Sequence, residues 1–174
     1  KIGFIDTTGK EAVPCTYDDT KGFSQGLAAV KKGGKWGFIG RTGEEVIPFQ
    51  YDDAASFFQG LAGGKKNGKW GFINKTNEAV IDFQYDDAGT FVNGLASVKQ
   101  GGKWGYIDKT GELVIPCVFD TAGYFSDGLA AVMQGGKWGY IDTTGKVVVP
   151  CKYGNVEPFS EGFAAVYSSD GGSW

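Results

Sequence analysis

The chain has 174 residues and a net charge of −3, which argues against the dense basic face that nucleic acids and anionic membrane surfaces attract. Hydrophobic residues make up 41% of the chain and charged residues 21%, so we expect a folded protein rather than a disordered one. No apolar run approaches the roughly 18 residues that a membrane-spanning helix needs, so we expect no membrane insertion.

One stretch recurs through the chain and sets its organisation. It reads Gly-Gly-Lys-Trp-Gly-Tyr-Ile-Asp-Lys-Thr-Gly-Glu at residues 101–112, and close copies surround Lys35, Lys69 and Lys137. A diverged copy opens the chain at Lys1, and the five Lys residues follow one another at intervals of 34. This fixed spacing predicts a single domain of tandem repeats. The predicted repeats span residues 1–34, 35–68, 69–102, 103–136 and 137–170, with 171–174 as a remnant.

Each repeat contains three segments with the composition of β-strands. In the fourth repeat, an aromatic strand begins at Trp104, a β-branched strand surrounds Val114, and small residues form a strand over 129–132. The connector between them, residues 119–128, is rich in Asp, Gly and aromatic residues and is interpreted as a non-strand segment with room for one helical turn. No segment keeps a helical period over about 11 residues, so an all-β fold is predicted.

The turns between these strands have recognisable chemistry. In Asp-x-Thr-Gly, the Asp side chain can accept hydrogen bonds from backbone N–H groups two residues on, and the Gly supplies the positive φ of a bulged hairpin. Gly40 replaces this Asp in the second repeat, so a weaker turn is expected there. The second hairpin loop is Gly-Gly, or Asn67-Gly68, which is a strong two-residue hairpin signal.

These turns predict a three-stranded antiparallel meander whose strands come from two adjacent repeats. The Gly that follows each Trp is expected to let a neighbouring backbone approach closely. We predict that the meanders stack as an elongated array resembling a β-solenoid. The alternative is a closed, propeller-like ring, against which stands the short repeat, since a four-stranded propeller blade takes roughly 40–45 residues.

The three cysteines occupy one position of the repeat. Cys15, Cys117 and Cys151 stand where other repeats have Phe49 and Phe83. Because Phe replaces Cys, the position is expected to be buried and apolar, and the thiols to be free rather than paired.

The motifs of the repeat resemble those of a known family. The Lys-Trp-Gly-Tyr/Phe-Ile-Asp core, with Thr-Gly-Glu, Val-Ile-Pro, Tyr-Asp-Asp and Gly-Leu-Ala-Ala-Val at their spacings, is similar to the WG (KWG) repeat of bacteria over essentially the whole chain. The resemblance implies a β-rich bacterial repeat protein, in a family whose biochemical role is largely undefined. It brings no catalytic motif. A weaker similarity to choline-binding cell-wall repeats ends at Gly105, where those repeats place an aromatic residue.

The sequence offers little for catalysis. It contains no His, the commonest general base and metal ligand, and no motif places an activator beside a Ser or Cys nucleophile. Gly-Gly-Lys fragments are too short for a phosphate-binding loop and lie in a hairpin. We therefore predict a protein that is not an enzyme and that has no cofactor.

The Tyr-Asp-Asp connectors are the candidate surface for a ligand or partner. One interpretation is a series of oxygen ligands for Ca²⁺, and the other is that each Asp caps a turn while each Tyr packs in the core. The candidate residues are Tyr17, Asp18, Asp19, Tyr51, Asp52, Asp53, Tyr85, Asp86 and Asp87.

The Trp residues of the repeat have two interpretations. They are either stacking platforms for sugars or peptides, or a buried structural spine, and the strict period favours the spine because a single repeat cannot bury its own apolar face. The residues concerned are Trp36, Trp70, Trp104 and Trp138.

For function, the periodicity favours a non-enzymatic binding or scaffold module that presents a repeated surface to a partner protein. The alternative is a cell-surface glycan-binding or structural array. The chain shows no signal peptide and starts in mid-repeat without a Met, so a processed product or a part of a longer protein is expected. A bacterial protein, either cytoplasmic or surface-exposed, fits these features.

Overall fold

The structure is a computed structural model that describes residues 1–168, so the predicted remnant 171–174 lies outside the described residues. Within residues 1–168 every regular element is a β-strand, which confirms the all-β prediction, and no helix there is long and apolar enough to cross a bilayer. The described residues form two compact units, Lys1–Tyr85 and a second that begins at Asp86.

The strands of the first unit are β1 (Ile2–Ile5), β2 (Glu11–Tyr17), β3 (Asp19–Ser24), β4 (Leu27–Lys32), β5 (Lys35–Ile39), β6 (Glu45–Tyr51), β7 (Asp53–Ala54), β8 (Ala62–Lys66), β9 (Lys69–Ile73) and β10 (Ala79–Tyr85). Those of the second unit are β11 (Asp87–Ala88), β12 (Leu95–Gln100), β13 (Lys103–Asp108), β14 (Leu113–Phe119), β15 (Thr121–Ser126), β16 (Leu129–Gln134), β17 (Lys137–Asp142), β18 (Val147–Tyr153), β19 (Asn155–Val156) and β20 (Val166–Tyr167).

The predicted meander is present in every complete sheet, and a fourth strand extends it. The strand orders are β3-β4-β5-β6, β7-β8-β9-β10, β11-β12-β13-β14 and β15-β16-β17-β18, with two-stranded sheets β1-β2 and β19-β20. All pairings are antiparallel between consecutive strands. As predicted, each complete sheet draws its strands from two adjacent repeats, and the added strand makes this two strands from each.

The fourth strand comes from the connector, which the sequence analysis interpreted as a non-strand segment. In the second unit, Thr121 to Ser126 pairs with β16 instead of forming a loop or helical turn. A two-residue hairpin makes this pairing possible, because Asp127 and Gly128 both adopt positive φ, at 49° and 78°. The corresponding pairs are Gln25-Gly26, Gln59-Gly60, Asn93-Gly94 and Glu161-Gly162.

The fourth strand also removes the sequence argument against a ring. A 34-residue repeat was expected to be too short for a four-stranded sheet, whereas the complete sheets have four strands. The added strand has six residues in β3 and β15 and only two in β7 and β11, so the 34-residue repeat accommodates either length. The open or closed arrangement of the whole chain stays a prediction.

The Asp-x-Thr-Gly turns form as expected. The Gly111 N–H donates to the Asp108 carbonyl at 3.0 Å, the Asp108 N–H donates to the Glu112 carbonyl at 3.0 Å, and Gly111 has φ of 87°. In the third repeat Asn77 takes the Gly position with φ of 65°, a conformation that Asn tolerates better than most residues. The two-residue Gly-Gly and Asn67-Gly68 loops likewise have positive φ at both residues.

The Gly after each Trp faces the backbone of the neighbouring strand at close range, which confirms the expectation. A Cβ at Gly37 would lie 2.7 Å from the Ile47 carbonyl oxygen, and one at Gly71 would lie 2.6 Å from the Ile81 carbonyl oxygen. The neighbouring strand bulges at this point. The pairing moves from Trp36 opposite Tyr51 to Phe38 opposite Ile47, a shorter step on β5 than on β6. Gly3, Gly105 and Gly139 make the equivalent approach.

The core is built from the aromatic residue and the Ile that follow this Gly. Phe38, Ile39, Tyr106 and Ile107 are at most 1% exposed. Each ring packs on a Phe from the next sheet, with centroids 4.9 Å apart for Phe38–Phe57 and for Tyr106–Phe125, 4.8 Å for Tyr140–Phe159 and 4.8 Å for Phe4–Phe23. These ring pairs join consecutive sheets within each unit.

Hydrogen bonds add a second link between consecutive sheets. The Ser24 hydroxyl donates to the Phe57 carbonyl at 2.6 Å in the first unit, and the Ser126 hydroxyl donates to the Phe159 carbonyl at 2.6 Å in the second. The buried Tyr106 hydroxyl donates to the Gly123 carbonyl at 2.8 Å. Consecutive sheets are therefore held by directional contacts as well as by apolar packing.

The cysteine position is less buried than predicted. Cys15 is exposed, while Cys117 and Cys151 are half-buried, and all three are free thiols. The expectation of a buried site was wrong for Cys15, because Cys15 lies in the two-stranded sheet β1-β2, which has no counterpart of β12, the strand whose Val98 carbonyl contacts the Cys117 sulfur. Burial raises the pKa of the Cys117 and Cys151 thiols, so these two remain protonated at neutral pH.

Replacement of Gly105 by Ala should destabilise the protein by about 1–3 kcal/mol or more, because the added Cβ would meet rigid backbone. It would lie 2.7 Å from the Cys117 nitrogen and closer still to the Ile115 carbonyl oxygen. Gly123→Ala is the matched control, since its Cβ would lie 3.4 Å from the nearest atom and its φ is not positive. Urea unfolding monitored by circular dichroism measures both changes, and equal stabilities would contradict the explanation.

Candidate functional site

The tyrosines of the connectors lie in the core rather than on the surface. Tyr17, Tyr51 and Tyr85 are 6%, 3% and 5% exposed, at the ends of strands β2, β6 and β10. Tyr51 pairs across the sheet with Trp36, and its hydroxyl lies 2.6 Å from the Asn77 side-chain oxygen. Burial raises the pKa of Tyr51, which therefore stays protonated at neutral pH.

The first Asp of each connector joins two neighbouring hairpins. We call Asp18, Asp52, Asp86 and Asp120 the first connector aspartates. Asp52 accepts a hydrogen bond from Lys35 Nζ at 2.6 Å through Oδ1, and from the Gly68 N–H at 3.2 Å through Oδ2. One carboxylate thus ties the start of β5 to the turn between β8 and β9.

The same arrangement recurs with the other first connector aspartates. Asp18 binds Lys1 and Asp120 binds Lys103, and the N–H groups of Gly33, Gly101 and Gly135 donate to Asp18, Asp86 and Asp120 at 3.1, 3.0 and 2.8 Å. The Lys side chain is the largest cause that lowers the pKa of Asp18, Asp52 and Asp120. Because these ion pairs are solvent-exposed, each contributes little to the free energy of folding.

The second Asp of each connector begins the first strand of a sheet. We call Asp19, Asp53 and Asp87 the second connector aspartates. Each Oδ1 accepts the N–H of the following residue, at 2.8, 2.8 and 2.9 Å. Asp19 and Asp87 are exposed and Asp53 is half-buried, and they stand opposite Lys31, Lys99 and Lys65 in the sheets.

The Ca²⁺ interpretation finds no set of ligands in the described part of the chain. No group of three or more His, Cys, Asp or Glu side chains is placed there to hold a metal ion. The carboxylate oxygens of the first connector aspartates already accept hydrogen bonds from Lys side chains and from backbone N–H groups. The connectors therefore match the turn-capping interpretation of their sequence.

The Trp residues are buried to different degrees. Trp36 is 4% exposed and lies in the core, whereas Trp70, Trp104 and Trp138 are only partly buried. Lys side chains lie over three of the rings, with Lys21 Nζ 5.2 Å from the Trp36 centroid, Lys65 Nζ 6.0 Å from that of Trp70 and Lys99 Nζ 5.9 Å from that of Trp104. In each four-stranded sheet, the aromatic residue two positions after the Trp is fully buried, and this residue was not predicted as the spine.

The Asp that begins each Asp-x-Thr-Gly turn, here called the hairpin Asp, accepts several hydrogen bonds through one carboxylate oxygen. Asp108 Oδ1 accepts from the Thr110 N–H at 2.9 Å, the Thr110 hydroxyl at 2.6 Å and the Glu112 N–H at 3.0 Å. The Thr110 hydroxyl is the largest cause that lowers the pKa of Asp108. Asp6 and Asp142 are bound in the same way.

Gly40 was expected to leave its turn without an acceptor, and the structure shows how the acceptor is replaced. Glu44 Oε2 accepts from the Thr42 N–H at 3.1 Å and from the Thr42 hydroxyl at 2.6 Å. A Cβ at Gly40 would overlap the Glu44 carboxylate, so the absent side chain makes room for it. A carboxylate from the other side of the turn thus supplies the acceptor that Gly40 lacks, and the weaker turn stays a prediction.

A family model described as a WG containing repeat matches the chain five times, at residues 2–36, 36–70, 70–104, 104–138 and 138–170. The chain belongs to the WG repeat family. The family's Trp-Gly pair is the site of the close backbone approach described above, which gives the WG repeat a structural reason for its Gly. Each WG repeat, taken from one Trp to the next, contributes strands to two sheets.

Comparison with curated proteins gave no match. Among solved structures, the chain is similar to PorZ, which is described as an essential bacterial surface component of the type-IX secretion system of Porphyromonas gingivalis. The identity is 9% and the TM-score is 0.44, and the similarity covers 94% of this chain but only 29% of PorZ. A likeness at this level carries no conclusion about the function of this WG repeat protein.

The ionisation of the hairpin Asp should make stability depend on pH. Because hydrogen bonds lower the pKa of Asp108 below its unfolded value of about 3.9, its stabilising effect is complete above that value and is lost as pH falls through the folded pKa. Asp108→Asn keeps an acceptor, as Asn74 does in the third repeat, but cannot be protonated in this range. Its melting temperature should therefore fall less than that of the wild type between pH 7 and pH 3.

Asp108→Ala provides the control, because it removes the acceptor altogether. At pH 7 it should melt below Asp108→Asn, since the Thr110 and Glu112 N–H groups lose their partner. Differential scanning calorimetry at several pH values measures the three proteins. Parallel melting curves for the wild type and Asp108→Asn would show that the Asp charge is not what stabilises the turn.

Proposed function

We propose that this WG repeat protein is a non-enzymatic binding module that presents a repeated surface to a partner protein. The observation that carries the proposal is the recurrence of a charged pair of positions, Asp19–Lys31, Asp53–Lys65 and Asp87–Lys99, at the same place in three sheets. Repetition of one surface element on stacked repeats is how repeat proteins build extended binding faces.

A Lys stands opposite each second connector aspartate in the sheet, but within residues 1–168 it forms no ion pair with that carboxylate, unlike Lys1, Lys35 and Lys103 with the first connector aspartates. The first connector aspartates bind Lys and a hairpin N–H, whereas each second connector aspartate accepts the N–H of its own neighbour. An Asn side chain could accept that hydrogen bond equally well. A carboxylate retained in three repeats, although the fold needs only an acceptor, supports a role in contact with a partner.

The ionisation of the side chains supports a non-enzymatic role. A general acid at neutral pH needs a raised carboxyl pKa, and hydrogen bonds instead lower the pKa of Asp6, Asp108 and Asp142. A Cys nucleophile needs a lowered pKa, and burial raises the pKa of Cys117 and Cys151. These directions favour turn stabilisation over catalysis.

The proposal is tested with a variant in which Asp19, Asp53 and Asp87 are all replaced by Asn. Wild-type and variant proteins are immobilised and exposed to lysate of the source organism, and the retained proteins are quantified by mass spectrometry. We expect a partner that the triple variant retains about tenfold less or worse, with smaller losses for single replacements, because several weak sites act together. Melting temperatures should be unchanged.

The matched control replaces three other exposed residues, one per repeat, namely Val46, Val80 and Val114, by Ser. It should retain the partner, because these side chains lie on the opposite edge strands of the sheets, β6, β10 and β14. Equal retention by the triple Asn variant and the wild type would contradict the proposed surface. Binding to immobilised peptidoglycan, with no protein retained, would favour a glycan-binding array instead.

A further inference from the structure

The second unit contains a cavity over the face of one partly buried Trp. The cavity has a volume of about 350 Å³, within the roughly 300–1,000 Å³ range of ligand pockets. It lies between the connector that follows β11 and strand β15. Its lining consists of Gly89, Thr90, Val92, Ser97, Trp104, Ala122, Gly123 and Tyr124.

The corresponding place in the first unit shows why this cavity is open. There Lys21 lies over the Trp36 ring, at 5.2 Å from its centroid, and Trp36 is 4% exposed. The residue that corresponds to Lys21, two repeats later, is Gly89, which has no side chain to cover Trp104. Lys99 Nζ lies 5.9 Å from the Trp104 centroid, but the position that Lys21 fills beside Trp36 carries no side chain beside Trp104, and Gly89 at this position lines the cavity.

The lining of the cavity includes a second aromatic side chain, Tyr124. Tyr124 is 56% exposed, which is unusual among the large aromatic residues of this chain, most of which are buried or partly buried. It follows Ala122 and Gly123, whose small size leaves the floor of the cavity unfilled. The cavity therefore offers a flat apolar group contact with two aromatic side chains, Trp104 and Tyr124.

The polar side-chain groups of the lining are the indole N–H of Trp104 and three hydroxyls. Thr90, Ser97 and Tyr124 each carry one, and no charged or carboxamide side chain lines the cavity. A sugar presents many hydroxyls that both donate and accept, and each one left without a partner after desolvation is costly. A proline-rich segment presents carbonyl acceptors and no N–H at its prolines, so hydroxyl donors suffice for it.

We propose that this cavity binds a proline-rich segment of a partner protein in the polyproline II conformation. This inference rests on the proposed function and names the chemical class of the partner. One proline ring packs on Trp104 and Tyr124, as prolines dock in aromatic-lined grooves. The hydroxyls of Thr90 and Ser97 donate to carbonyl groups on either side of that proline.

The experiment measures the binding of a fluorescein-labelled oligoproline peptide by fluorescence anisotropy. A Gly-Ser peptide of equal length is the negative control, and maltose and cellobiose are added as competitors. We expect saturable binding of oligoproline alone, with no displacement by either sugar. Tyr124→Ala should weaken binding about tenfold, the factor that corresponds to about 1.4 kcal/mol for one aromatic contact.

A double variant provides the sharpest test, because the first unit supplies its design. Gly89→Lys with Ser97→Ala reproduces the pair Lys21 and Ala29 that accompanies the covered Trp36. The Ser97 replacement is needed because a Cβ at Gly89 would lie 2.5 Å from the Ser97 hydroxyl oxygen. The variant should fold with an unchanged melting temperature and lose oligoproline binding, while Val148→Ser, on an exposed strand of the same unit, should bind normally.

Three results would overturn the inference: no binding of oligoproline by the wild type, unchanged binding by the double variant, or displacement of the peptide by a sugar. These results leave the proposed function standing if the second connector aspartates still govern capture of a partner. Conversely, oligoproline binding could depend on the cavity while the triple Asn variant captures the partner as well as the wild type does. This result would contradict only the proposed role of the second connector aspartates.

Discussion

The close approach of two backbones at the Trp-Gly pair is the constraint on which each sheet depends. The outer strand arches over the Gly, so the residues between the two flanking pairs have no ordinary partner. Any side chain at this Gly would meet a carbonyl oxygen. On the outer strand itself, the Ile before the arch and the aromatic residue after it lie in the core. The cysteine position, which lies within the arch, is at the surface or half-buried. One missing side chain therefore determines both the core and the outer face.

Polar side chains complete what the backbone leaves unpaired, and this shapes the interpretation of the acidic residues. Hairpin carboxylates cap their own turns, and the first connector aspartates tie neighbouring hairpins together. Acidic residues that look like a ligand array in sequence are thus largely structural. The groups that remain for recognition are the second connector aspartates and the aromatic lining of the cavity at Trp104 and Tyr124.

The sequence predicted the repeat, the strands, both of its assigned turns and the role of the Gly, because each depends on local chemistry that recurs five times. It did not predict the fourth strand, although Asn93-Gly94 and Asp127-Gly128 are hairpin signals of the same kind as Asn67-Gly68. The connector was interpreted from its composition, and two of the added strands are too short to show any alternation. The contrast between Trp36 and Trp104 could not be seen in sequence, since it depends on Lys21 reaching across from another strand.

Every complete sheet takes two strands from one repeat and two from the next, so the boundary between repeats lies inside a sheet. Duplication of any 34-residue segment, whatever its starting point, adds one whole sheet and preserves each existing strand pairing. Such a chain can lengthen or shorten by recombination without having to evolve a new contact. Individual copies are then free to diverge, as Gly40 with Glu44 and Gly89 have done, while the neighbouring copies maintain the architecture.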